Sequence, residues 1–257
     1  MKQILIQSGK TVIADVPVPL VGKGHVLVEV AYSLISTGTE ISVLESSGKS
    51  LLKRSFGASS QLDKVLEYLK HQGVHKTVSK IRDRLQEAIP VGYSCSGVVI
   101  QVGEGVEGFQ PGDKVACAGA GLANHAEIVL IPRNLVAKVP TNCSLKAAAS
   151  ATLGAIAMQG VRRADLSLGE FVAVIGLGLL GQLSVQLLKA NGCQVIGIDL
   201  DPRRVGVALS LGADYAFIAE EVDITNEIFN VTGGYGVDAT IIAASSKSSK
   251  TVQNAMD

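Results

Sequence analysis

The sequence contains no tryptophan, and Phe and Tyr raise the aromatic content to only 4% of its 257 residues. A surface that stacks on bases needs aromatic rings at intervals, so single-stranded nucleic acid is a poor fit as a ligand. Excess charge is missing too: 23 Lys and Arg balance 23 Asp and Glu, with no polybasic tract. Nucleic acid and anionic membrane surfaces are therefore excluded as main partners. The four cysteines, at 95, 117, 143 and 193, stand far apart and form no CxxC pair. That spacing suits reduced, structural thiols in a cytoplasmic chain. The opening "MKQILIQSGK" has neither a long apolar core nor a small-residue cleavage site, so no signal peptide is expected there. The most apolar window, "FVAVIGLGLLGQLSVQLL" at 171–188, is interrupted by Gly176, Gly178 and Gly181 and takes on helical period in its second half. Both features argue against a membrane span. No internal repeat recurs at a fixed period.

Apolar residues make up 47% of the chain, mean hydropathy is +0.35, and there are 28 glycines. Much of this is Val, Ile, Leu and Ala, the composition of strands covered on both faces by helices. The length suits one large or two modest domains. Short apolar runs separated by Gly, Pro and charges ("KQILIQ", "TVIADVPVP", "GHVLVEVAYSLIS") read as strands. Residues 43–88 differ: Leu62, Val65, Leu66 and Leu69, then Val78, Ile81 and Leu85, have helical spacing, and Pro90 stops the second run. Strand patterns return in "GYSCSGVVIQVGEGV", "GDKVACAG" and "HAEIVLIPRNLVAKVP". From about 146, helix and strand patterns alternate, which implies a parallel sheet with helices on both faces. Strands are expected at 171–176, 193–199, 215–219 and 237–244, and a helix over 146–164. The predicted class is α/β, with a β-rich domain over 1–145 carrying a helical insertion at about 43–88, and a second domain over 146–257.

"VIGLGLLG" places Gly176, Gly178 and Gly181 as GxGxxG after an apolar strand and at the head of a helix. Asp199 ends the next strand, 199 − 176 = 23 residues later. Gly176 would permit the tight turn, Gly178 the approach of a pyrophosphate, and Gly181 close packing of the helix. The helix start at Leu179 and Leu180 would offer free N–H groups and a positive dipole end to phosphates. Asp199 would accept the adenosine ribose hydroxyls, which favours NAD over NADP. Arg204, with Arg203 beside it, would lie along the adenine, touch a 2′-phosphate (NADP) or stand as a solvated charge at a helix start.

A β-rich region, then "GVVIQVGEGVEGFQPGDKV", "HAEIVLIPRNLVAKVP" and the fingerprint, in that order, resembles the medium-chain dehydrogenase/reductase superfamily of zinc-type alcohol dehydrogenases. The resemblance implies a GroES-like domain joined to a Rossmann domain. "YSLISTGTE" and "PVGYS" look like the branch with bacteriochlorophyllide dehydrogenases, and more like the dehydrogenase half of bi-domain oxidoreductases of bacterial surface-polysaccharide clusters. There a Gfo/Idh/MocA-type oxidoreductase domain follows on the same chain. Three departures stand out. Thr37 occupies the first zinc-ligand position of the family, Tyr93 the second, and Ala151 or Thr152 the third. A catalytic zinc takes three ligands from Cys, His, Asp and Glu, so no metal is expected. The Cys-rich lobe for a structural zinc is missing, Cys117 having no partner nearby in sequence. Of Glu40, Cys95 and His125, which could rebuild a site, nothing in the sequence brings any two together.

The resemblance implies hydride transfer between NAD (NADP as an alternative) and a hydroxyl or carbonyl of a sugar or sugar nucleotide. Thr39 falls where the zinc enzymes keep a proton-relaying hydroxyl, and its alternative is a turn hydroxyl capping the following helix. Tyr93 would act as proton donor or pocket wall. Glu40 would orient Thr39, bind a sugar hydroxyl or stand as a solvated charge. His125 would titrate near neutral pH or serve as a structural histidine. The family sheet has six strands, and only four are legible before the chain stops, so the Rossmann domain is expected to be C-terminally incomplete. Quinone or enoyl reduction, or a non-catalytic NAD-binding module, are the competing readings. A small-molecule substrate is the expected partner, and a homo-oligomer is left open.

Overall fold

The computed structural model describes residues 1–7, 9–48 and 88–244. The helices expected over 62–69 and 78–85 lie outside the described residues. The chain divides into two compact units, Met1–Thr152 and Leu153–Asp257.

The first unit is built from antiparallel strands. β1 (Lys2–Gln7) pairs with β2 (Lys10–Asp15) on one side and with β4 (Ile89–Pro90) on the other. A second sheet holds β3 (His25–Ser33), β5 (Ser94–Val102), β6 (Lys114–Ala118), β7 (Ile128–Pro132) and β8 (Val136–Lys138) in the order β7-β3-β5-β6-β8. A 3-10 turn, Arg133–Leu135, breaks the expected single run after His125 into β7 and β8. Its core gathers Val26 and Val28 with Cys95, Val99, Val115, Val129 and Ile131. Each such branched side chain, fully withdrawn from water, contributes about 1.5–3 kcal/mol. The helix α1 (Thr37–Gly48) follows β3.

The helix expected over 146–164 is two: α2 (Leu145–Ala148) and α3 (Ala151–Arg163). Ser144 caps α2, its hydroxyl accepting the Ala147 N–H at 3.1 Å. Two buried serines of β5 bind this segment. Ser94 donates to the Ala149 carbonyl at 2.6 Å and Ser96 to the Leu145 carbonyl. These bonds tie α2 to the antiparallel sheet, and the unit boundary falls after Thr152 rather than at 145.

The second unit is a parallel sheet of β9 (Phe171–Ile175), β10 (Gln194–Asp199), β11 (Tyr215–Ile218) and β12 (Ala239–Ile242), in the order β11-β10-β9-β12. That order is the 3-2-1-4 portion of a doubly wound dinucleotide-binding fold. The crossovers are α4 (Leu179–Ala190), α5 (Pro202–Ser210) and α6 (Ile224–Val231). Alternation along β9 serves both faces. Val172 and Val174 pack with Val185 and Leu188 of α4 and with Val205 and Ala208 of α5. Ala173, with Ile196 and Ile198 of β10, packs against Ile224, Ile228 and Val231 of α6. Burial on both faces accounts for the apolar composition. Among the described residues no helix is long and apolar enough to cross a membrane.

Candidate functional site

Two clusters of chemistry-bearing residues emerge, one in each unit. In the second unit the chain leaves β9 through Gly176, whose φ of +92° lies in the left-handed region. A Cβ there would sit 2.6 Å from the Ala244 nitrogen, so the turn is closed to any other residue. A Cβ at Gly181 would run into the Gly176 carbonyl, which the first turn of α4 therefore approaches closely. Gly178, the N-cap residue of α4, has nothing within 4 Å of its missing Cβ. Its open side leaves room for a group to rest on the turn. The first N–H groups of α4, starting at Leu179 and Leu180, have no carbonyl earlier in the helix to bind.

Asp199 ends β10 and is 9% exposed. One carboxylate oxygen accepts the Leu177 N–H at 2.6 Å and the other the Asp201 N–H at 2.9 Å. Each oxygen retains a second lone pair for a ligand hydroxyl. Arg204 is not a free charge: its guanidinium lies 3.6 Å from Asp199 and 3.9 Å from Asp201. Gln182 gave no signal in the sequence. Its amide nitrogen donates to the Leu177 carbonyl at 3.1 Å and the Arg204 carbonyl at 2.8 Å, tying the turn to α5, while its oxygen is buried without a partner among the described residues.

Asp201 caps α5, accepting the Arg203 N–H at 2.9 Å and its guanidinium at 3.0–3.1 Å. The Arg203 side-chain hydrogen bond, then its backbone N–H, hold the Asp201 carboxyl below the usual value. A lowered folded-state pKa means that this cap is complete above the unfolded aspartate range, about pH 4, and is lost as pH falls through the folded value. Backbone amide shifts of Arg203 and Arg204 should therefore stay constant down to about pH 4 and move below it.

In the first unit the polar cluster surrounds the start of α1. Ser36 precedes it, its carbonyl accepting the Glu40 N–H at 2.9 Å. The Ser36 hydroxyl donates to the Thr39 hydroxyl at 3.3 Å, and the Ser36 N–H donates to Glu40 Oε1 at 2.9 Å. Thr39 and Thr37 are exposed and Tyr93 is half-buried. Glu40 is not a solvated charge, its side chain being 17% exposed, and its partner is not Thr39. Glu40 Oε1 also lies 3.1 Å from His125 Nε2, and His125 Nδ1 lies 2.8 Å from the Ser33 hydroxyl. His125 is 6% exposed. The structure thus joins Glu40 and His125, which the sequence left apart. The reason is the sheet: Ser33 ends β3, and the loop before β7 carries His125 against Val91, whose carbonyl accepts its N–H at 2.8 Å. Gly92, in "PVGYS", makes room for the imidazole. Its φ is +94°, and a Cβ there would sit 2.9 Å from His125 Nδ1.

Cys95 takes no part in that cluster. The β5–β6 register sets it opposite Cys117, so Cys117 does have a thiol neighbour. The hydrogen bond with Cys95, then burial, pushes the Cys117 thiol far above the ordinary range. Thr152, with Ala151 the expected third ligand position, donates to the Cys117 carbonyl at 3.4 Å. Among the described residues no three His, Cys, Asp or Glu side chains gather into a metal-holding group.

With this geometry in hand, comparison with known proteins places the chain. The alcohol dehydrogenase GroES-like domain matches residues 65–141 and the zinc-binding dehydrogenase domain matches residues 180–257. The chain belongs to the medium-chain dehydrogenase/reductase superfamily, of the zinc-type alcohol dehydrogenase-like kind. D-guloside 3-dehydrogenase of Shigella flexneri is 34% identical over 152 residues, 59% of this chain and 43% of that protein. (R,R)-Butanediol dehydrogenase of Bacillus subtilis is 32% identical over 188 residues, covering 63% and 54%. This medium-chain dehydrogenase/reductase chain thus spans about half the length of the relatives it matches. Galactitol-1-phosphate dehydrogenase of Escherichia coli, 20% identical, superposes with a TM-score of 0.75 over 98% of this chain and 70% of its own. That likeness establishes the shared fold.

Proposed function

We propose that this chain is the N-terminal part of an NAD(H)-dependent oxidoreductase that acts, without a catalytic zinc, on a hydroxyl or carbonyl of a sugar or sugar-nucleotide-like substrate. The observation that carries the proposal is the turn at Gly176, Gly178 and Gly181, closed against side chains on two sides and open at Gly178. It fits a pyrophosphate: Gly178, Leu179, Leu180 and Gly181 would supply N–H groups, and Asp199 the acceptor for ribose hydroxyls. The bound nicotinamide would supply hydride chemistry, and the chain would supply binding and orientation. The substrate class follows the polyol and glycoside specificities in the names of the relatives.

The donor set does not fit zinc. Thr37, Tyr93 and Thr152 offer hydroxyls, and Glu40 and His125 already bind each other. In its place Thr39 and Tyr93 would hold the substrate oxygen by hydrogen bonds, and Glu40 would keep the start of α1 in register through Ser36. A Gfo/Idh/MocA-type oxidoreductase domain on the same polypeptide is part of the proposal.

The test is the Thr39→Val, Tyr93→Phe double variant of the full-length protein, assayed with NAD+ and a D-guloside. We expect kcat/KM to fall about 100-fold or more, with the Kd for NADH within about twofold, because the first effect removes hydroxyls and the second leaves the Gly turn untouched. Unchanged kcat/KM would refute the assignment of these two residues. NADH binding with no alcohol oxidation and no quinone or enoyl reduction would favour a non-catalytic module.

A further inference from the structure

Proton transfer must accompany alcohol oxidation, and among the described residues the Thr39 hydroxyl is bound to that of Ser36. The base lies elsewhere in the same cluster. We infer that Ser33, His125 and Glu40 form the proton relay of this site, with Ser33 as its substrate end. The inference rests on the oxidoreductase reading above.

The chain of contacts has one direction. A carboxylate only accepts, so His125 Nε2 carries the proton facing Glu40 Oε1 at 3.1 Å. A neutral imidazole then presents its lone pair at Nδ1, 2.8 Å from the Ser33 hydroxyl, which donates to it. Only the Ser33 end of this line is exposed. Ser33 is exposed at the end of β3, His125 is buried, and Glu40 lies between. The imidazole is buried beside Gly92 and held at both ring nitrogens, by Ser33 and by Glu40. The Ser36 N–H, at 2.9 Å, holds the same carboxylate oxygen, Oε1, that faces His125. A hydroxyl, an imidazole and an orienting carboxylate in a row make an activated hydroxyl facing solvent.

The step balances as follows. A substrate alcohol beside Ser33 gives its proton to Ser33 Oγ as the Ser33 proton moves to His125 Nδ1. A bound NAD+ would supply the hydride acceptor, so that the alcohol carbon would leave as a carbonyl carbon. The imidazolium formed is paired with Glu40 and returns its proton through Ser33 to water. Ser33 takes the substrate proton, beside the Thr39 and Tyr93 hydroxyls that hold the oxygen; His125 receives the proton; Glu40 is a positioning residue.

The experiment uses the full-length protein, NAD+ and a panel of D-guloside, D-sorbitol and (R,R)-butane-2,3-diol, followed by NADH absorbance. Ser33→Ala should lower kcat about 100-fold with little change in KM. Ser33→Thr keeps the hydroxyl and should recover most of that loss. His125→Ala should lose a similar factor and be rescued by added imidazole, which a merely structural histidine would not be. Turnover that survives Ser33→Ala at the wild-type rate, or an unrescued His125→Ala beside a fully active Ser33→Ala, overturns the relay and leaves the oxidoreductase reading intact. Absence of turnover with every member of the panel overturns both.

Discussion

Replacing Gly181 by alanine should cost both the stability of the second unit and its hold on NADH. The added methyl meets the Gly176 carbonyl, a backbone atom that cannot step aside, since Gly176 is itself held against Ala244. Relief requires α4 to lift from the end of β9, opening the packing of Val185 and Leu188 on Val172 and Val174. Overpacking of this kind costs about 1–3 kcal/mol. Thermal unfolding should report a lower Tm, and calorimetry an NADH Kd raised at least about tenfold, equivalent to 1.4 kcal/mol. Gly178→Ala is the informative partner. Its methyl enters open space, so Tm should hold, while NADH affinity falls because the methyl occupies the room left for the phosphates. Wild-type affinity in Gly178→Ala would remove the pyrophosphate from this turn.

Asp199→Ala should have the second large effect, for a different reason. The carboxylate takes the N–H groups of Leu177 and Asp201, so alanine leaves two backbone donors unpaired, one of them buried. An orphaned buried donor costs about 1–3 kcal/mol. Asn is only a partial remedy, because its amide has one acceptor oxygen for two donors. Urea unfolding of the alanine variant should show a lower midpoint with an unchanged slope, and Arg204→Ala should barely move it. The Arg204 ion pair is long, 3.6 Å, and the guanidinium is 54% exposed, a setting in which such pairs contribute about 0–1 kcal/mol. Equal stability of Asp199→Ala and the parent would show that the carboxylate does not organise the turn. With Asp199 as the proposed ribose acceptor, the ratio of NADPH to NADH Kd, read by calorimetry, should fall in the same variant.

The second unit was legible because its signals are local. Three strands came within one residue of their expected limits and β12 is two residues shorter at each end, since each is a short apolar run bounded on one side by Gly or Asp. The reasons for the three glycines could be stated from their spacing, and the geometry adds which atom each one avoids. The helix over 146–164 was drawn as one because its composition is uniformly helical. Its break at Ala149–Ser150 comes with bonds from β5 serines 49 and 55 residues earlier than the carbonyls they bind, which no window along the chain includes.

The first unit shows the opposite case. Thr39, Tyr93 and Glu40 were singled out by position within a resemblance, which does not reveal that Glu40 binds Ser36 and His125. His125 lies 85 residues from Glu40 and 92 from Ser33, and only strand register brings the three together. Cys117 was similarly read as solitary until β5 and β6 set Cys95 across from it. The amino-acid sequence by itself determined the class, the order of the two units, the parallel sheet and the nucleotide-type turn, because these depend on side-chain period and on glycines at fixed short offsets. The tertiary structure alone decided that an exposed serine, a buried histidine and a helix-start carboxylate share hydrogen bonds, because a contact between distant residues is set by sheet pairing and by the space that one glycine, Gly92, leaves open.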